Sequence, residues 1–243
     1  MVLTRAVPPA PDRDKARRVH AMFAGIAPRY DVMNALMTAG RDQAWRRTAA
    51  RLADPTAEEL VLDLATGTAD LALAFLEESP VERVVAADFV EGMLKRAGEK
   101  LRARRETRVA LVAADALALP FPDATFGCVA SAFLLRNLAD LAAGLAEMRR
   151  VTAPGGRVVA LEITQPTLPV WREAFRLYFH LVVPALGALV SGDRAAYTYL
   201  PRSVERFVTP HELARLMRRV GLWDVRITRL GLGTVTIHVG RVP

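Results

Sequence analysis

The chain has 243 residues, of which 52% are hydrophobic and 24% charged, and its 33 Lys+Arg against 26 Asp+Glu leave a formal charge of +7. These proportions exclude intrinsic disorder, and the length suits one α/β domain or two small ones with a sizeable core. One cysteine, Cys128, excludes a disulfide framework and a Cys-cluster metal site, and no apolar run marks a secretory signal in residues 1–15, so a cytoplasmic protein is expected.

Residues 1–15 read as a loose tail. Residues 16–52 are helical in pattern, with Val19, Met22, Phe23, Ile26, Val32, Met33, Leu36 and Met37 at helical spacing, and Pro28 divides them into two helices. An alternation follows. Strands are expected at 59–64, 83–87, 108–113, 126–132 and 157–163, with helices at 70–76, 91–105 and 138–151 between them. The run Ala153-Pro154-Gly155-Gly156 reads as a turn before the fifth strand. An apolar, aromatic segment at 167–202 interrupts the rhythm. A helix at 210–220 and strands at 223–230 and 234–240 then complete the chain, the last two joined by Gly231-Leu232-Gly233 as a hairpin. Apolar strands alternating with helices predict an α/β fold: a mostly parallel sheet covered on both faces, with ligands at the carboxyl edge of the strands. A single domain over residues 1–243 is expected.

The first strand enters the turn Asp63-Leu64-Ala65-Thr66-Gly67-Thr68-Ala69-Asp70. A pyrophosphate cradle would want G-x-G-x-x-G, but this turn has one glycine, small neighbours and a surplus of carboxylates. That suits a nucleoside with cationic groups and no phosphate, as in S-adenosylmethionine. Asp88 lies 21 positions beyond Gly67, where an acid can accept both ribose hydroxyls. Asp115-Ala116, after the third strand, can reach the adenine amine. Singly, each acid is more readily a helix cap or a solvated loop residue; three at successive strand ends favour the ligand.

Six stretches carry a more specific resemblance: 23–34 (FAGIAPRYDVMN), 62–70 (LDLATGTAD), 88–94 (DFVEGML), 115–123 (DALALPFPD), 132–137 (AFLLRN) and 191–203 (SGDRAAYTYLPRS). The turn and its acids resemble the class I S-adenosylmethionine-dependent methyltransferases, with their Rossmann-like fold. The longer stretches resemble the ubiquinone/menaquinone biosynthesis C-methyltransferases, from Val19 to the end of the chain. The resemblance implies an N-terminal helical lid at 16–52 and a helical insert at 167–202 after the fifth strand. It implies S-adenosylmethionine as cofactor, contacted by Thr68, Asp88, Asp115 with Ala116, and Ser131, beside the turn residues Asp63, Gly67 and Asp70. The acceptor it implies is a lipophilic prenylated quinol. GTAD favours demethylmenaquinol, with a ubiquinone-branch methoxy-benzoquinol or another small phenol or sterol as alternatives. Two departures stand out: Ala65 and Ala69 replace glycines of the general motif, and AFL stands where SFG is common.

Carbon methylation requires a ring made nucleophilic by loss of a phenolic proton, so the site needs a base or a cation for the developing oxyanion, and no metal. Arg136 after the fourth strand is the candidate cation, or else a structural ion pair; Asn137 orients substrate or caps the next helix. Tyr30 and Asp31 are placed to close over the cofactor. Gly192-Asp193, Tyr197 and Tyr199 line the quinol head or simply pack. His20, His180, His211 and His238 show no metal-ligand spacing, and His238 reads as a satisfied sheet histidine.

The segment 175–190 packs on the domain, covers the acceptor, or touches the inner face of the membrane with Arg172, Arg176, Arg194 and Arg202 near anionic headgroups. The chain's longest uncharged run, 177–192, contains His180 and Pro184 and is too short and too broken to span. The Arg102, Arg104, Arg105 and Arg108 group is interrupted by Glu99 and Glu106 and lacks interleaved aromatics, which argues against nucleic acid. Residues 132–135 also lack the motif for amino-directed base methylation, and Cys128 sits inside a strand. A homo-oligomer stays open.

Overall fold

The computed structural model describes residues 13–191 and 194–243. Five strands run parallel: β1 (Val61–Leu64), β2 (Val84–Asp88), β3 (Val109–Ala113), β4 (Phe126–Ala132) and β5 (Thr152–Ile163). The last two, β6 (Trp223–Leu230) and β7 (Val235–Arg241), form the expected hairpin. The sheet order is β3-β2-β1-β4-β5-β7-β6, and β7 is antiparallel to both neighbours. Strand order reverses between β1 and β4, so their carboxyl ends open a crevice at the topological switch point.

Alternate residues of each strand serve opposite faces. Val61, Ala86, Cys128, Ala130 and Val159 pack beneath α3 (Arg41–Ala53), α4 (Asp70–Glu78) and α5 (Glu91–Ala103). Leu62, Leu64, Val129 and Val158 pack against α6 (Leu141–Val151) and α10 (Pro210–Arg219). α10 begins behind a capping box in which Thr209 and Glu212 satisfy each other's backbone N–H groups.

A third cluster lies over the sheet's carboxyl edge. It joins Ile26 of α1 (Arg13–Ile26) and Met33 of α2 (Tyr30–Thr38) to Met93 of α5 and to Val183 of α8 (Val183–Ser191). Tyr197 of α9 (Arg194–Glu205) completes it. Before α8 come α7 (Pro169–Leu177) and a wider π-helical turn at Tyr178–Val182.

Several boundaries differ from the sequence reading, beginning with α1, which starts at Arg13 inside the stretch read as a loose tail. The N-terminal segment holds three helices rather than two, because the chain also breaks at Ala39 and Gly40, both left-handed at φ 51° and 72°. The helix expected from residue 138 starts at Leu141, after a short 3-10 turn at Leu135–Asn137. β5 begins at Thr152, running through the expected turn; its pairing with β4 shifts between Phe126 and Cys128, and a Cβ on Gly156 would lie 2.6 Å from the Gly127 carbonyl.

Candidate active site

The turn after β1 is held from below by Asp63, only 1% exposed. Its Oδ2 accepts from Thr66 Oγ1 at 2.5 Å and Ala72 N at 2.9 Å, while Oδ1 is buried without a protein partner. Burial pushes the Asp63 carboxyl up to about 7, against the pull of those bonds. Gly67 has φ 59°, a conformation glycine adopts without strain, and its N–H donates to Asp88 Oδ2 at 2.8 Å. Ala65 and Ala69 are left-handed as well, at φ 56° and 69°. The chain thus keeps the glycine geometry of the general motif at two alanines, at a cost of roughly 1 kcal/mol each. Leu134 is right-handed at φ −85° and needs no glycine; the strained residue of AFL is Phe133, at φ 65°.

Asp88 ends β2 with its Oδ1 accepting from Val90 N at 2.9 Å. Burial raises its pKa, and the backbone N–H bonds oppose the rise. Asp115 is exposed, with Oδ1 accepting from Leu117 N at 2.9 Å, and Ala116 beside it is buried. The link to the neighbouring strand end is Ala114 N donating to Asp88 O at 3.0 Å. Ser131 of β4 lies in register with Leu64 of β1, and its hydroxyl is buried without a protein partner. Two unpartnered buried polar atoms, Asp63 Oδ1 and Ser131 Oγ, beside a positive-φ turn fit a polar ligand at this edge.

One residue of this half was missed from sequence. Lys100 of α5 donates to Thr68 Oγ1 at 3.0 Å and Asp70 Oδ1 at 2.7 Å, and pairs with Asp31 Oδ2 at 2.6 Å. Thr68 also donates to Asp31 Oδ1 at 2.6 Å, and Gln43 to Asp70 Oδ2 at 3.0 Å. One ammonium thereby ties α2 to the glycine turn. Burial pushes the Asp70 carboxyl up, but the charges of Lys100 and Arg46 and the bonds from Lys100 and Gln43 outweigh it, and its pKa is lowered. Lysine occurs only at Lys15, Lys95 and Lys100 in this arginine-rich chain. That rarity was the available signal.

A cavity of 540 Å³ opens beside the turn, walled by α1–α3, the ends of β4, β5 and β7, and the helices at 169–205. Tyr30, Arg136 and Asn137 line it; Gly67, Thr68, Asp88, Asp115 and Ser131 do not. Tyr30 touches both halves, since its Cε1 is 3.5 Å from where a Gly67 Cβ would stand. Burial raises the Tyr30 pKa, so the phenol stays protonated.

Arg136 meets the buried Glu162 at 2.8 Å, and their side chains are 7% and 0% exposed. The ion pair foreseen as the structural alternative is therefore present. Burial raises the Glu162 pKa, opposed by the Arg136 charge. Arg136 Nε has no protein acceptor, and the guanidinium stands 5.5 Å from the Phe133 ring centre. Asn137 does not cap the next helix: Asp140 does, accepting from Ala143 N at 2.9 Å. Asn137 instead donates to Phe133 O at 3.0 Å and accepts from Tyr199 at 3.2 Å, joining β4's end to α9. Lys15 reinforces this corner, donating to Leu138 O at 2.5 Å.

Tyr197 and Tyr199 both border the cavity, while Gly192 and Asp193 lie outside the described residues. His238 is fully buried in the sheet; its Nε2 donates to Pro210 O at 2.9 Å, and burial pushes its pKa down to about 4. Among the described residues no three His, Cys, Asp or Glu side chains gather as a metal set.

This strand order, with an acid-lined turn at the switch point, defines the fold of the class I methyltransferases. An S-adenosylmethionine-dependent methyltransferase of Thermotoga maritima superposes with a TM-score of 0.66 at 15% identity, over 92% of this chain and 99% of that one. The model of the ubiE/COQ5 methyltransferase family matches residues 12–242, and the chain belongs to that family. It is 48% identical over 222 residues to a demethylmenaquinone methyltransferase of Thermus thermophilus, covering 91% of this chain and all of that one. A protein of the same name from Deinococcus radiodurans is 46% identical over 96% of both chains. The resemblance carried by the APRYD, LRN and YLP stretches is thereby borne out, as is the fold class.

Proposed function

We propose that the protein transfers a methyl group from S-adenosylmethionine to a ring carbon of a prenylated quinol, demethylmenaquinol first among them. The names of its full-length relatives support this acceptor. The observation that carries the chemistry is Arg136: a buried guanidinium, with one N–H lacking a protein acceptor, on the wall of an apolar cavity beside the glycine turn.

S-adenosylmethionine, when bound, supplies an electrophilic methyl on a sulfonium. Asp88 would accept the ribose hydroxyls, Asp115 and Ala116 the adenine edge, and Ser131 and Asp63 would offer their unpartnered oxygens. Thr68, Gly67 and Asp70 would shape the turn around the amino-acid end. Residues 16–52 act as a lid and 167–202 as an insert of one domain, with Tyr30 separating cofactor from acceptor. The cavity walls exclude water from the ring. Arg136 would stabilise the phenolate that forms as the phenolic proton leaves, and Glu162 would fix the guanidinium. Asn137, held by Tyr199, would orient the ring.

Asp42 is the one carboxylate among the described residues of the wall. Its Oδ2 meets Arg46 at 2.5 Å and its Oδ1 lies 3.0 Å from Thr38 Oγ1, which suits bracing the α2–α3 joint and leaves the phenolic proton to water. No described helix is long and apolar enough to cross a membrane, and we place the protein in the cytoplasm, meeting its acceptor at the membrane surface.

The test is methyl transfer from labelled S-adenosylmethionine to reduced demethylmenaquinol, to a demethylated methoxy-benzoquinol and to RNA. Label in a quinol alone supports the reading and selects the branch. Cofactor binding without label in either quinol would overturn the acceptor and retain the fold.

A further inference from the structure

Two buried side-chain nitrogens on the wall of the 540 Å³ cavity have no protein acceptor among the described residues: Arg136 Nε and Asn34 Nδ2. The first belongs to the guanidinium already placed at the phenolate. The second has no part in that chemistry. Other hydroxyls of the wall give their protons to the protein. Tyr178 donates to Met37 O at 2.9 Å, Tyr199 to Asn137 Oδ1 at 3.2 Å, Ser203 to Leu200 O at 2.8 Å and Thr234 to Gly231 O at 2.8 Å. Even the Asn34 carbonyl is used, accepting from Thr38 Oγ1 at 2.7 Å. Its side-chain amide N–H is not.

Nothing in the folding of α2 asks for this amide. Asn34 lies in the middle of the helix and caps neither end, at a position where leucine or alanine is the better helix former. A buried N–H without an acceptor costs the fold stability, and one on a cavity wall is explained by an acceptor on a ligand. Asn34 stands one helical turn beyond Tyr30, on the same face of α2. Burial raises the Tyr30 pKa, and the Arg46 charge, the Asn34 amide and the Arg136 charge each oppose the rise, yet no hydrogen bond closes on Asn34 Nδ2. Both unpartnered donors therefore face the surroundings of one phenol, one carried by α2 and the other by the turn after β4.

We propose that Asn34 Nδ2 donates to the second oxygen of the quinol, para to the oxygen that Arg136 stabilises, so that the site is built for a ring carrying two oxygens. Held at Arg136 alone, a flat ring in an apolar cavity is free to pivot about one contact. A second contact fixes its rotation, and with it the free ring carbon beside the Arg136 oxygen, toward the cofactor. The far oxygen keeps its own proton and accepts from the amide through a lone pair. The inference rests on the acceptor being a quinol and narrows that reading, because a monophenol or a sterol brings no second oxygen to Asn34.

The experiment is titration calorimetry on the full chain loaded with S-adenosylhomocysteine, under reducing conditions, with two short-tailed ligands. One is the methylated naphthoquinol. The other is the matching naphthol, which keeps the hydroxyl beside the methyl-bearing carbon and lacks the second. Wild type is expected to bind the quinol about tenfold more tightly than the naphthol. Asn34→Leu, close in volume, is expected to weaken the quinol about tenfold and to leave the naphthol within about twofold. It should also melt at or above the wild-type temperature, since it removes an unpaired N–H and favours the helix. Equal weakening of both ligands, or of neither, overturns the inference, as does a wild type that binds the two alike. Equal weakening with a lower melting temperature would make Asn34 a support for Tyr30. The quinol reading is scored separately, by wild type alone: binding of neither ligand, with no label reaching demethylmenaquinol, overturns that reading and the contact together. Wild type that binds and methylates quinol beside an insensitive Asn34→Leu overturns the contact only.

Discussion

Around Gly67, polar atoms find partners within a few residues or on the next strand: Asp63 with Thr66 and Ala72, Gly67 with Asp88, Asp88 with Val90. On the other side of Tyr30, the 540 Å³ cavity is walled by side chains from helices far apart in the chain, such as Met22, Trp171 and Leu200. The first region is a rigid polar cradle fixed by sheet register, suited to a ligand of constant shape. The second is an apolar enclosure closed by tertiary packing, in which Arg136 with Glu162 and Asn137 with Tyr199 supply fixed polar contacts. The difference teaches that affinity for the cofactor and turnover of the acceptor should separate on mutation.

Arg136 offers the largest separation. Arg136→Met is expected to lower turnover by about 10²–10³-fold, the usual loss for an oxyanion-stabilising donor, with cofactor affinity within about threefold of wild type. The same change strands Glu162, which is 0% exposed, and is expected to destabilise the fold by about 3–5 kcal/mol. The double variant Arg136→Met, Glu162→Met distinguishes the roles, because it removes the stranded charge. Recovery of the melting temperature without recovery of turnover supports the oxyanion role. Recovery of both would make Arg136 a structural ion pair and nothing more.

Lys100 tests the opposite half. Lys100→Met removes the ammonium shared by Asp31, Thr68 and Asp70, leaving two carboxylates facing each other across the turn. Titration calorimetry should show a loss of about tenfold in S-adenosylmethionine affinity, with turnover at saturating cofactor reduced less. A fall in turnover with unchanged affinity would assign Lys100 to the acceptor side and break the division between the regions.

The two regions also differed in how far they could be read from sequence. The cradle was legible because its parts are local or fixed by register: an acid at a strand end, a small-residue turn, and the same placement one strand over. Leu64 falls between Ala87 and Ser131 in the sheet, so strand boundaries alone bring the ends of β1, β2 and β4 together. Lys100 was not legible, because it lies in α5, 30 residues from Asp70, and nothing in helical spacing says which turn its side chain reaches. Asn137 misled for a related reason: Asp140, the actual cap, lies three residues on, and the short 3-10 turn that delays α6 has no apolar signature of its own. The apolar segment 175–190 left packing and exposure both open, and the structure divides it, with Val183 buried against the N-terminal helices while Leu177 and Leu181 face outward.

The smallest expected effect concerns the foundation of the cradle. Asp63 carries a pKa raised to about 7 by burial, against 3.8 for the ordinary carboxyl. Between those values the folded protein binds a proton that the unfolded chain has released, so this group makes stability fall as pH rises through the window, and its contribution is complete below pH 4. The slope from one such group is at most about 1.4 kcal/mol per pH unit. Asp88 and Glu162, also raised by burial, add to the same sign in the wild type, so the total slope alone does not identify Asp63. Asp63→Asn does, since the amide keeps an acceptor for Thr66 Oγ1 and Ala72 N but has no proton to lose. Urea unfolding at steps from pH 4 to 8 should show the variant losing less stability than wild type on going up, the two curves diverging toward pH 7. Parallel curves would mean that Asp63 is ionised in the fold throughout, with its free oxygen satisfied by a charge partner, and the cradle would then be a charged site even before it meets the sulfonium.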